Sequence, residues 1–392
     1  MFELVIFTFF LLNTVYVLIL SIAGHFYKKK VVPQASKFNR IAILVPSYKE
    51  DKVILHTTTE LLKLDYPKSN YDVIVIADSL EDKTIETLKK TDAIVIPVAF
   101  EKSMKSRSLN HALNHIDSSY DIAIIADADN ILSKNFLNDI NNLFCAGYQI
   151  IQSQRVAKNL NTPMAMLDGV SEAINNHLFR QGSNALGLSA ALIGSGMAFP
   201  YKLLKEKVAK IDSVVEDREL QLALLEEGYT VTYQKGILVY DEKVESTEAY
   251  KNQRKRWIAG QYGVLKKYLV KSFVLLFKGN INFFNSAFIQ NVFPSRIISL
   301  TSLLAISIVS IFIFKISGIT IRWCALTLIY SFALILSTPR IFFTKKLIKS
   351  LSIIPVVFVR TIQSLFQSRN ASKTFIHTEH KQREIDSTFL SK

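Results

Sequence analysis

Cysteine is scarce in this sequence. Only Cys145 and Cys324 occur among 392 residues, and neither lies at the spacing of a metal-binding motif. The chain therefore carries no disulfide framework and no cysteine-based metal site, which favours a reducing compartment for its main domain. Internal repeats and low-complexity tracts are also lacking. The length leaves room for two or three structural units.

Acidic residues are outnumbered, because 47 Lys and Arg face 33 Asp and Glu and give a formal net charge of +14. Hydrophobic residues make up 49% of the chain, and the mean hydropathy of +0.22 is high for a purely soluble protein. The basic residues flank apolar runs, which is typical of contact with an anionic membrane surface. We therefore expect membrane lipids as partners and no nucleic acid.

The first apolar run covers residues 2–24 and is followed by Lys28, Lys29 and Lys30. A cleaved signal peptide carries its positive charge before the apolar core, so this order argues against one. The run is long enough to span a bilayer, and the lysines favour a cytoplasmic location for its C-terminal end. Residues 1–30 are therefore predicted to form a transmembrane anchor.

Residues 38–270 follow a different pattern, in which short apolar strands alternate with helix-like segments. The predicted strands are Ile41–Val45, Tyr71–Ala77, Ala93–Val98, Ile122–Ala126 and Tyr148–Gln152. The predicted helices are Lys52–Leu64, Thr84–Lys90, Arg107–Ile116, Lys134–Phe144 and Glu216–Glu226. The nearly continuous hydrophobicity of the strands indicates burial on both faces. This alternation predicts an α/β domain around a mostly parallel sheet with right-handed crossovers.

Residues 271–392 are predicted to form a C-terminal membrane region and a cytoplasmic tail. Two runs, 297–314 and 318–337, are long enough to span, and basic residues stand before the first and after the second. The positive-inside rule then predicts a multi-pass protein of the cell inner (plasma) membrane, with the α/β domain and the tail in the cytoplasm. Residues 347–359 are short for a span and contain Pro355, which favours the membrane interface.

Two carboxylates, Asp127 and Asp129, directly follow the apolar strand predicted at Ile122–Ala126. In an extended chain, side chains two residues apart point to the same side, so these two can converge on one cation. Open α/β sheets bind ligands at the carboxyl ends of their strands. Hard cations such as Mg²⁺ bind carboxylate and phosphate oxygens. The alternative is an ordinary turn, because Asp and Asn are common turn residues.

Further polar residues stand where strands end and helices begin. Pro46, Tyr48 and Glu50 close the first strand and Asp78 the second, so a tyrosine ring and a carboxylate could hold a nucleobase. Lys105 could balance a diphosphate and Asn110 could reach a ribose, although this motif taken alone favours an ordinary solvated helix start.

Two later segments are also candidates. Asp217 could act as a general base, whereas Ser213 and Glu216 fit a capping box at the start of a helix. Arg256 can grip diphosphate oxygens and Trp257 can stack on a sugar, although Gln253–Trp257 also suits an interfacial segment.

In chain order, the segments PSYKE, AD, MKSRSLN, DAD, GSGMAF, ED and QRKRW closely resemble the motifs of membrane-bound family 2 glycosyltransferases. That family includes cellulose, hyaluronan and poly-N-acetylglucosamine synthases. The resemblance covers residues 40–262 and implies a GT-A fold that uses a nucleotide-diphosphate sugar with Mg²⁺ or Mn²⁺. Two departures are Ser106, where the family usually has glycine, and Ala77, where it often has an acid. The tail around His377 and His380 resembles a short C-terminal motif of related enzymes.

The resemblance also implies roles for individual residues. Donor-binding residues would be Pro46, Tyr48, Glu50, Asp78, Lys105, Asn110, Asp127 and Asp129, of which Asp127 and Asp129 would also hold the metal. Asp217 would be the catalytic base. The acceptor and diphosphate would be bound by Gly194, Ser195, Gly196, Met197, Gln253, Arg256 and Trp257.

The predicted function is that of an inverting glycosyltransferase acting on a lipid-linked or saccharide acceptor at the cytoplasmic membrane face, for cell-surface polysaccharide or glycolipid synthesis. One alternative is a processive β-linked polysaccharide synthase, for which oligomers or a membrane partner could supply further helices. The non-enzyme alternative is a membrane-anchored nucleotide or polymer sensor. An intact set of acids argues against the sensor.

Overall fold

The computed structural model describes residues 1–367, 380–382, 384 and 385, and for Phe2 the backbone alone. Its strands are β1 Ile41–Tyr48, β2 Tyr71–Asp78, β3 Ile94–Val98, β4 Ile122–Ile125, β5 Ile131–Leu132, β6 Ile151–Ala157, β7 Met197–Pro200 and β8 Thr232–Asp241. The helices up to β8 are α1 Phe2–His25, α2 Ile54–Leu61, α3 Asp82–Leu88, α4 Lys105–His115, α5 Phe136–Cys145, α6 Pro163–Asn175, α7 Ser183–Ala185, α8 Tyr201–Val208 and α9 Glu216–Glu226.

The helices after β8 lie toward the C-terminus. They are α10 Thr247–Phe277, α11 Ile281–Phe284, α12 Gln290–Val292, α13 Arg296–Phe314, α14 Gly318–Leu336, α15 Lys345–Ser350 and α16 Ile354–Gln367. Two π-helical stretches, Asn176–Gly182 and Asn285–Ile289, continue α6 and α11. The predicted domain boundary at residue 270 falls inside the continuous helix α10.

The strands form one eight-stranded sheet in the order β3-β2-β1-β4-β7-β6-β8-β5. The neighbours β1–β2, β1–β4, β2–β3 and β6–β8 are parallel, whereas β4–β7, β6–β7 and β5–β8 are antiparallel. The prediction of a mostly parallel α/β sheet is therefore confirmed. Both faces are covered by buried apolar clusters, which explains why the central strands are nearly continuous runs of Ile, Val, Leu and Ala.

Several strands differ from the prediction because polar side chains continue them. β1 runs on through Pro46 and Ser47 to Tyr48, in register with β2. β6 begins later and extends to Ala157, since its polar residues find partners inside the fold. Ser153, for example, donates to the Gly196 carbonyl at 2.6 Å. Hydrophobicity alone could not identify β6 beyond Gln152, and β5, β7 and β8 were missed altogether.

Helices α1, α13 and α14 pack together around Leu20, Leu303 and Trp323. Their internal polar groups bond to one another, as when Asn13 Nδ2 donates to Ser299 Oγ at 2.9 Å and Ser307 pairs with Thr327 at 2.8 Å. Among the described residues, four segments are long and apolar enough to cross a membrane, namely Glu3–His25, Arg296–Phe314, Gly318–Leu336 and Lys345–Gln367. The last is longer than the sequence indicated, because the helical structure continues past Val359.

The sheet domain is attached to the first span through a close helix contact. The π-helical stretch after α6 packs on α1, where Gly182 lies so near that a Cβ would stand 2.4 Å from the Leu20 carbonyl oxygen. His177 Nε2 donates to the Ser21 carbonyl at 2.8 Å. A side chain at position 182 would push these segments apart. The contact therefore places α6, which lines the candidate site, beside the membrane helices.

Candidate active site

A cavity of about 530 Å³ opens at the carboxyl ends of β1, β2 and β4 and reaches the first residue of α13. Twelve of the sixteen residues predicted from the sequence line it: Pro46, Tyr48, Glu50, Asp78, Lys105, Asp127, Asp129, Gly194, Asp217, Gln253, Arg256 and Trp257. The fold thus brings together segments that are far apart in the chain.

One end of the cavity is formed by Tyr48 and Asp78, which are register partners on adjacent parallel strands. Asp78 is 1% exposed, and its Oδ1 accepts from Ser79 Oγ at 3.0 Å. Its Oδ2 is buried without a hydrogen-bond partner in the described part of the chain. A buried carboxylate oxygen without a donor costs free energy. This end is therefore suited to accept a hydrogen bond from a ligand N–H.

The Lys105 ammonium connects three walls of the cavity. It contacts Asp127 Oδ1, donates to the Gly194 carbonyl at 2.7 Å and lies 3.8 Å from Glu216. Burial on its own lowers the pKa of a lysine, but here Asp127 and Glu216 raise the pKa of Lys105 above its ordinary value. Lys105 is therefore a fixed positive charge at the centre of the site.

Asp127 and Asp129 lie in a turn and not in an extended strand end. The Asn130 amide donates to the Asp127 carbonyl at 3.0 Å, so the turn that was the alternative prediction is present. Asp127 and Asp129 also line the cavity, and their role as metal ligands stays a prediction. Asp129 is 3% exposed, accepts from the Glu242 amide at 3.0 Å and has its pKa raised by burial. The charge of His380 offsets part of this effect, because a cation beside a buried carboxylate favours its ionised form.

Glu216 and Asp217 begin α9, but the predicted capping box is wrong. The N-cap is Val215 and makes no side-chain cap, while Ser213 Oγ accepts from the Val215 amide at 3.2 Å. The Glu216 side chain turns into the cavity instead. Burial raises the pKa of Glu216 to about 7, partly offset by Lys105 and reinforced by Asp217. Glu216 is thus part of the charged site.

Asp217 and Lys105 both lie close to Gly194. A Cβ on Gly194 would lie 3.7 Å from Lys105 Nζ and 3.8 Å from Asp217 Oδ2, and the φ angle of Gly194 is +83°. Asp217 Oδ1 accepts from the Arg218 amide at 2.8 Å. The glycine therefore leaves free a space that is near both an ammonium and a carboxylate.

Helix α10 contributes the far wall. Gln253 Oε1 is buried and has no hydrogen-bond partner among the described residues. The Arg254 guanidinium lies 4.3 Å from the centre of the Trp257 ring and 3.3 Å from Asp168. Burial lowers the pKa of Arg256. This wall therefore offers an amide oxygen, an indole ring and two guanidinium groups. Such groups can bind a ligand that carries both hydroxyl groups and negative charge.

Four predicted residues lie outside the cavity. Asn110 sits on α4, where its Oδ1 accepts from Asn114 at 3.3 Å. Ser195 is buried and contacts Asn130, and Met197 is part of the core between sheet and helices. Gly196 has a φ of +61°, and a Cβ there would lie 2.2 Å from Ser153 Oγ. These positions support the fold around the site, and Gly194 is the one of the four predicted residues 194–197 that lines the cavity.

A buried network of charges beside α6, in the wall of the cavity, was not predicted from the sequence. Glu172 of α6 bonds Arg155 at 2.8 Å and Arg180 at 3.3 Å, and Lys243 bonds Asp241 at 2.6 Å. Burial raises the pKa of Glu172, but these cations outweigh it and lower the pKa to about 2. The sequence feature that could have indicated this network is Arg155, a charged residue within strand β6.

The C-terminal tail also reaches the site. His380 Nδ1 lies 2.9 Å from Glu50, and the amides of Lys381 and Gln382 both donate to Glu242 at 2.9 Å. Glu50 and Asp129 raise the pKa of His380 to about 10, against the effect of burial. Residues 375–379 of the tail motif lie outside the described residues.

Comparison with known proteins agrees with this arrangement. A sequence model described as glycosyltransferase like family 2 matches residues 39–260. A probable glycosyltransferase, YdaM of Bacillus subtilis, is 25% identical over 60% of this chain and 58% of its own length. A β-monoglucosyldiacylglycerol synthase of Trichormus variabilis is 25% identical over 57% of this chain and 49% of its own. The chain thus spans about half the length of these curated relatives.

A solved structure shares the fold. The mannosyltransferase PcManGT from Pyrobaculum calidifontis, solved with GDP-Man and Mn²⁺, is similar with a TM-score of 0.58 and 15% identity, over 94% of this chain and 99% of that one. The α/β fold is accordingly of the GT-A type. Since the family match also covers more than half of the residues, this chain belongs to glycosyltransferase family 2.

Proposed function

We propose that this protein is an inverting glycosyltransferase that moves a sugar from a nucleotide-diphosphate sugar to a lipid-linked or saccharide acceptor at the cytoplasmic face of the plasma membrane. The main support for this proposal is one continuous cavity that extends from the carboxyl ends of β1, β2 and β4 to the start of α13. One end offers a buried carboxylate and a tyrosine, the middle offers acids and a lysine, and the other end meets a candidate membrane span.

The donor is proposed to lie across the strand ends. Asp78 Oδ2 accepts from the base, with Tyr48 beside it and Pro46 closing the wall, because this oxygen is buried without a partner in the described residues. Lys105 and Arg256 offset the negative charge of the diphosphate. In the protein without donor, the Lys105 ammonium forms an ion pair with Asp127. This pair holds the ammonium in place before the donor binds.

The residues present fit Mg²⁺ or Mn²⁺. Asp127 and Asp129 both line the cavity and offer hard oxygen donors, and the GDP-Man complex of PcManGT holds Mn²⁺. No group of three His, Cys, Asp or Glu side chains in the described ranges is arranged to hold a metal ion. Magnesium commonly uses one or two carboxylates, with water and phosphate completing its shell, so two suffice. When bound, the metal would neutralise charge on the departing diphosphate.

Asp217 is proposed as the general base. It accepts the proton of the acceptor hydroxyl while that oxygen forms a bond to the anomeric carbon and the bond from that carbon to the diphosphate oxygen breaks. Gly194 allows the approach because it has no side chain to fill the space near Lys105 and Asp217. Lys105 and Arg256 stabilise the negative charge of the leaving group. A single displacement of this kind inverts the configuration of the anomeric carbon.

We further propose that the protein transfers one or a few sugars. The spans α1, α13 and α14 use their polar groups to bond one another, which leaves few groups to line a sugar channel. A relative that acts on a diacylglycerol lipid supports a lipid acceptor. The processive synthase remains the alternative.

The test is transfer by the purified full chain in proteoliposomes. Radiolabelled nucleotide sugars would be supplied with Mg²⁺ or Mn²⁺, and the products separated by length and by lipid extraction. Short, lipid-extractable products that Asp217→Asn abolishes would support the proposal. Long polymer accumulating inside vesicles with an outward-facing active site would favour the processive synthase. Binding of nucleotide sugars with no turnover of any donor would favour a sensor.

A further inference from the structure

The membrane-side lobe of the cavity contains more positive charge than its acids balance. We use this name for the part lined by Asp168, Ser171, Asn175, Arg254, Ser295 and Arg296, where α6, α10 and α13 meet. Arg254 is paired with Asp168 at 3.3 Å. Behind it, three cations of the buried network share only Glu172 and Asp241.

Arg296 has only neutral partners among the described residues. Its Nη1 donates to Asn175 Oδ1, and its Nη2 donates to the carbonyl and hydroxyl oxygens of Ser171, each at 3.0 Å or less. Arg218, which also lines the cavity, likewise donates only to the amide oxygen of Gln290, at 3.4 Å. Guanidinium groups that face a partly buried cavity without a carboxylate favour an anionic ligand.

Buried donor atoms without partners point into the same lobe. Arg254 Nε and Ser295 Oγ both lie in the cavity wall, and neither has a hydrogen-bond partner in the described part of the chain. Ser295 is the N-cap of α13, yet its hydroxyl caps nothing. Buried polar atoms are rarely left unpaired unless a ligand or water completes them. The positive end of the α13 dipole adds to the attraction for an anion.

The position of the lobe identifies the source of the anion. Arg296 is the first residue of a segment long and apolar enough to cross a membrane. An anion held there lies where the head group of a lipid meets the bilayer. We propose that the membrane-side lobe binds the phosphate group of a lipid-linked acceptor, with Arg296, Arg254 and Ser295 as its ligands. The inference rests on the proposed glycosyl transfer and narrows its acceptor to phosphate-bearing lipids.

The test measures binding of three probes to the full chain in a neutral detergent, without nucleotide sugar. Lysophosphatidic acid carries the phosphate and an acyl chain, monoacylglycerol of equal chain length lacks the phosphate, and glycerol phosphate lacks the chain. We expect lysophosphatidic acid to bind at least about 10-fold tighter than either, as a charge-assisted contact predicts. Equal binding of the two lipids overturns the proposal, and equal binding of glycerol phosphate overturns a lipid source.

Variants locate the site. Arg296→Gln is expected to weaken lysophosphatidic acid binding about 10-fold or more without affecting monoacylglycerol, while Arg296→Lys retains part of the affinity. Lys278→Gln, at an exposed position beyond α10, controls for general attraction to surface charge. An equal loss in Lys278→Gln, or no loss in Arg296→Gln, overturns the assignment. Thermal melts check folding, and the Lys variant carries the test if the Gln variant unfolds. Since no donor is present, failure here is distinct from failure of the transfer reaction.

Discussion

His380 Nδ1 lies 2.9 Å from Glu50 Oε1, although 330 positions separate the two residues in the chain. Glu50 directly follows β1 and lines the cavity, so the tail returns to the catalytic domain after α16. Within α16, Ser364 donates to the Lys251 carbonyl of α10 at 3.0 Å, and Arg360 pairs with Glu248. We therefore infer that residues 345–367 lie along the membrane surface, despite being long enough to cross it.

The first prediction concerns membrane topology. A reporter fused after Lys392 is expected on the cytoplasmic side, because a tail on the outer side could not reach Glu50. Cys145, which is exposed on the sheet domain, supplies an internal control through labelling with a membrane-impermeant thiol reagent. Both sites should be accessible in inside-out vesicles and protected in right-side-out vesicles. A reporter accessible only from the side opposite to Cys145 would show that the last segment crosses.

The second prediction concerns Asp129. Asp129→Asn is expected to lower metal-dependent transfer about 100-fold or more, since one group that stabilises developing charge is lost. Its melting temperature should change little, because the substitution removes the desolvation cost of a buried carboxylate but also its attraction to His380, and the two effects oppose each other. Transfer measured across a Mn²⁺ titration, together with a thermal melt, provides the check. Near-normal turnover with Mn²⁺ would remove Asp129 from the proposed metal site.

The third prediction separates the proposed base from its neighbours. Asp217→Asn should lower the rate of transfer roughly 10²–10⁴-fold, as loss of a general base does, while calorimetry shows unchanged donor binding. Glu219→Gln is the matched control, because Glu219 is another first-turn acid of α9 and pairs with Lys267 outside the cavity. Glu219→Gln should keep its rate. An active Asp217→Asn protein would contradict the assignment.

The fourth prediction follows from the buried carboxyl of Glu216. Its pKa is about 7 in the folded protein and 4.5 ordinarily, so the folded state binds more protons between those values. The free energy of unfolding is therefore expected to fall as pH rises from about 4.5 to about 7, by at most about 3 kcal/mol. Glu216→Gln should flatten this slope and be the more stable form at pH 8. Melting temperatures across pH 4–8 measure it, and a Gln variant less stable at pH 8 would refute it.

The fifth prediction concerns Gly196, whose role is structural in this fold. Gly196→Ala should destabilise the protein more than Gly187→Ala, although both residues have positive φ angles. At Gly187 nothing lies within 4 Å of an added Cβ, so the cost is the backbone strain of about 1–2 kcal/mol alone. At Gly196 the Cβ would meet Ser153 Oγ at 2.2 Å. Equal melting temperatures for the two variants would show that the loop can shift.

Much of the fold could be predicted from the sequence because buried segments are apolar. The strands β1, β2 and β4 are buried on both faces, so burial had to appear as runs of apolar residues, and helix α9 was predicted with its observed bounds. Strands β5, β7 and β8 escaped because they are short or carry polar residues whose partners are distant in the chain. The prediction of a capping box was wrong because the Glu216 carboxylate lies near the Lys105 ammonium of α4. This attraction between distant parts of the chain outweighs the local pattern of Ser213 and Glu216.

The sequence by itself determined that acids follow buried strands and that apolar segments flank an α/β domain, because both properties are local patterns of side-chain chemistry. Only the tertiary structure decided which of those residues share one cavity. Asp78, Asp217 and Arg256 line that cavity, whereas Asn110 lies outside it on α4 and Met197 of β7 is buried in the core. Parallel strands bring their carboxyl ends to one edge of the sheet, but which helix residues face that edge depends on how the helices pack. The sequence could not show whether the charges of Arg155, Glu172 and Arg296 are balanced, because that depends on which residues lie next to them in space.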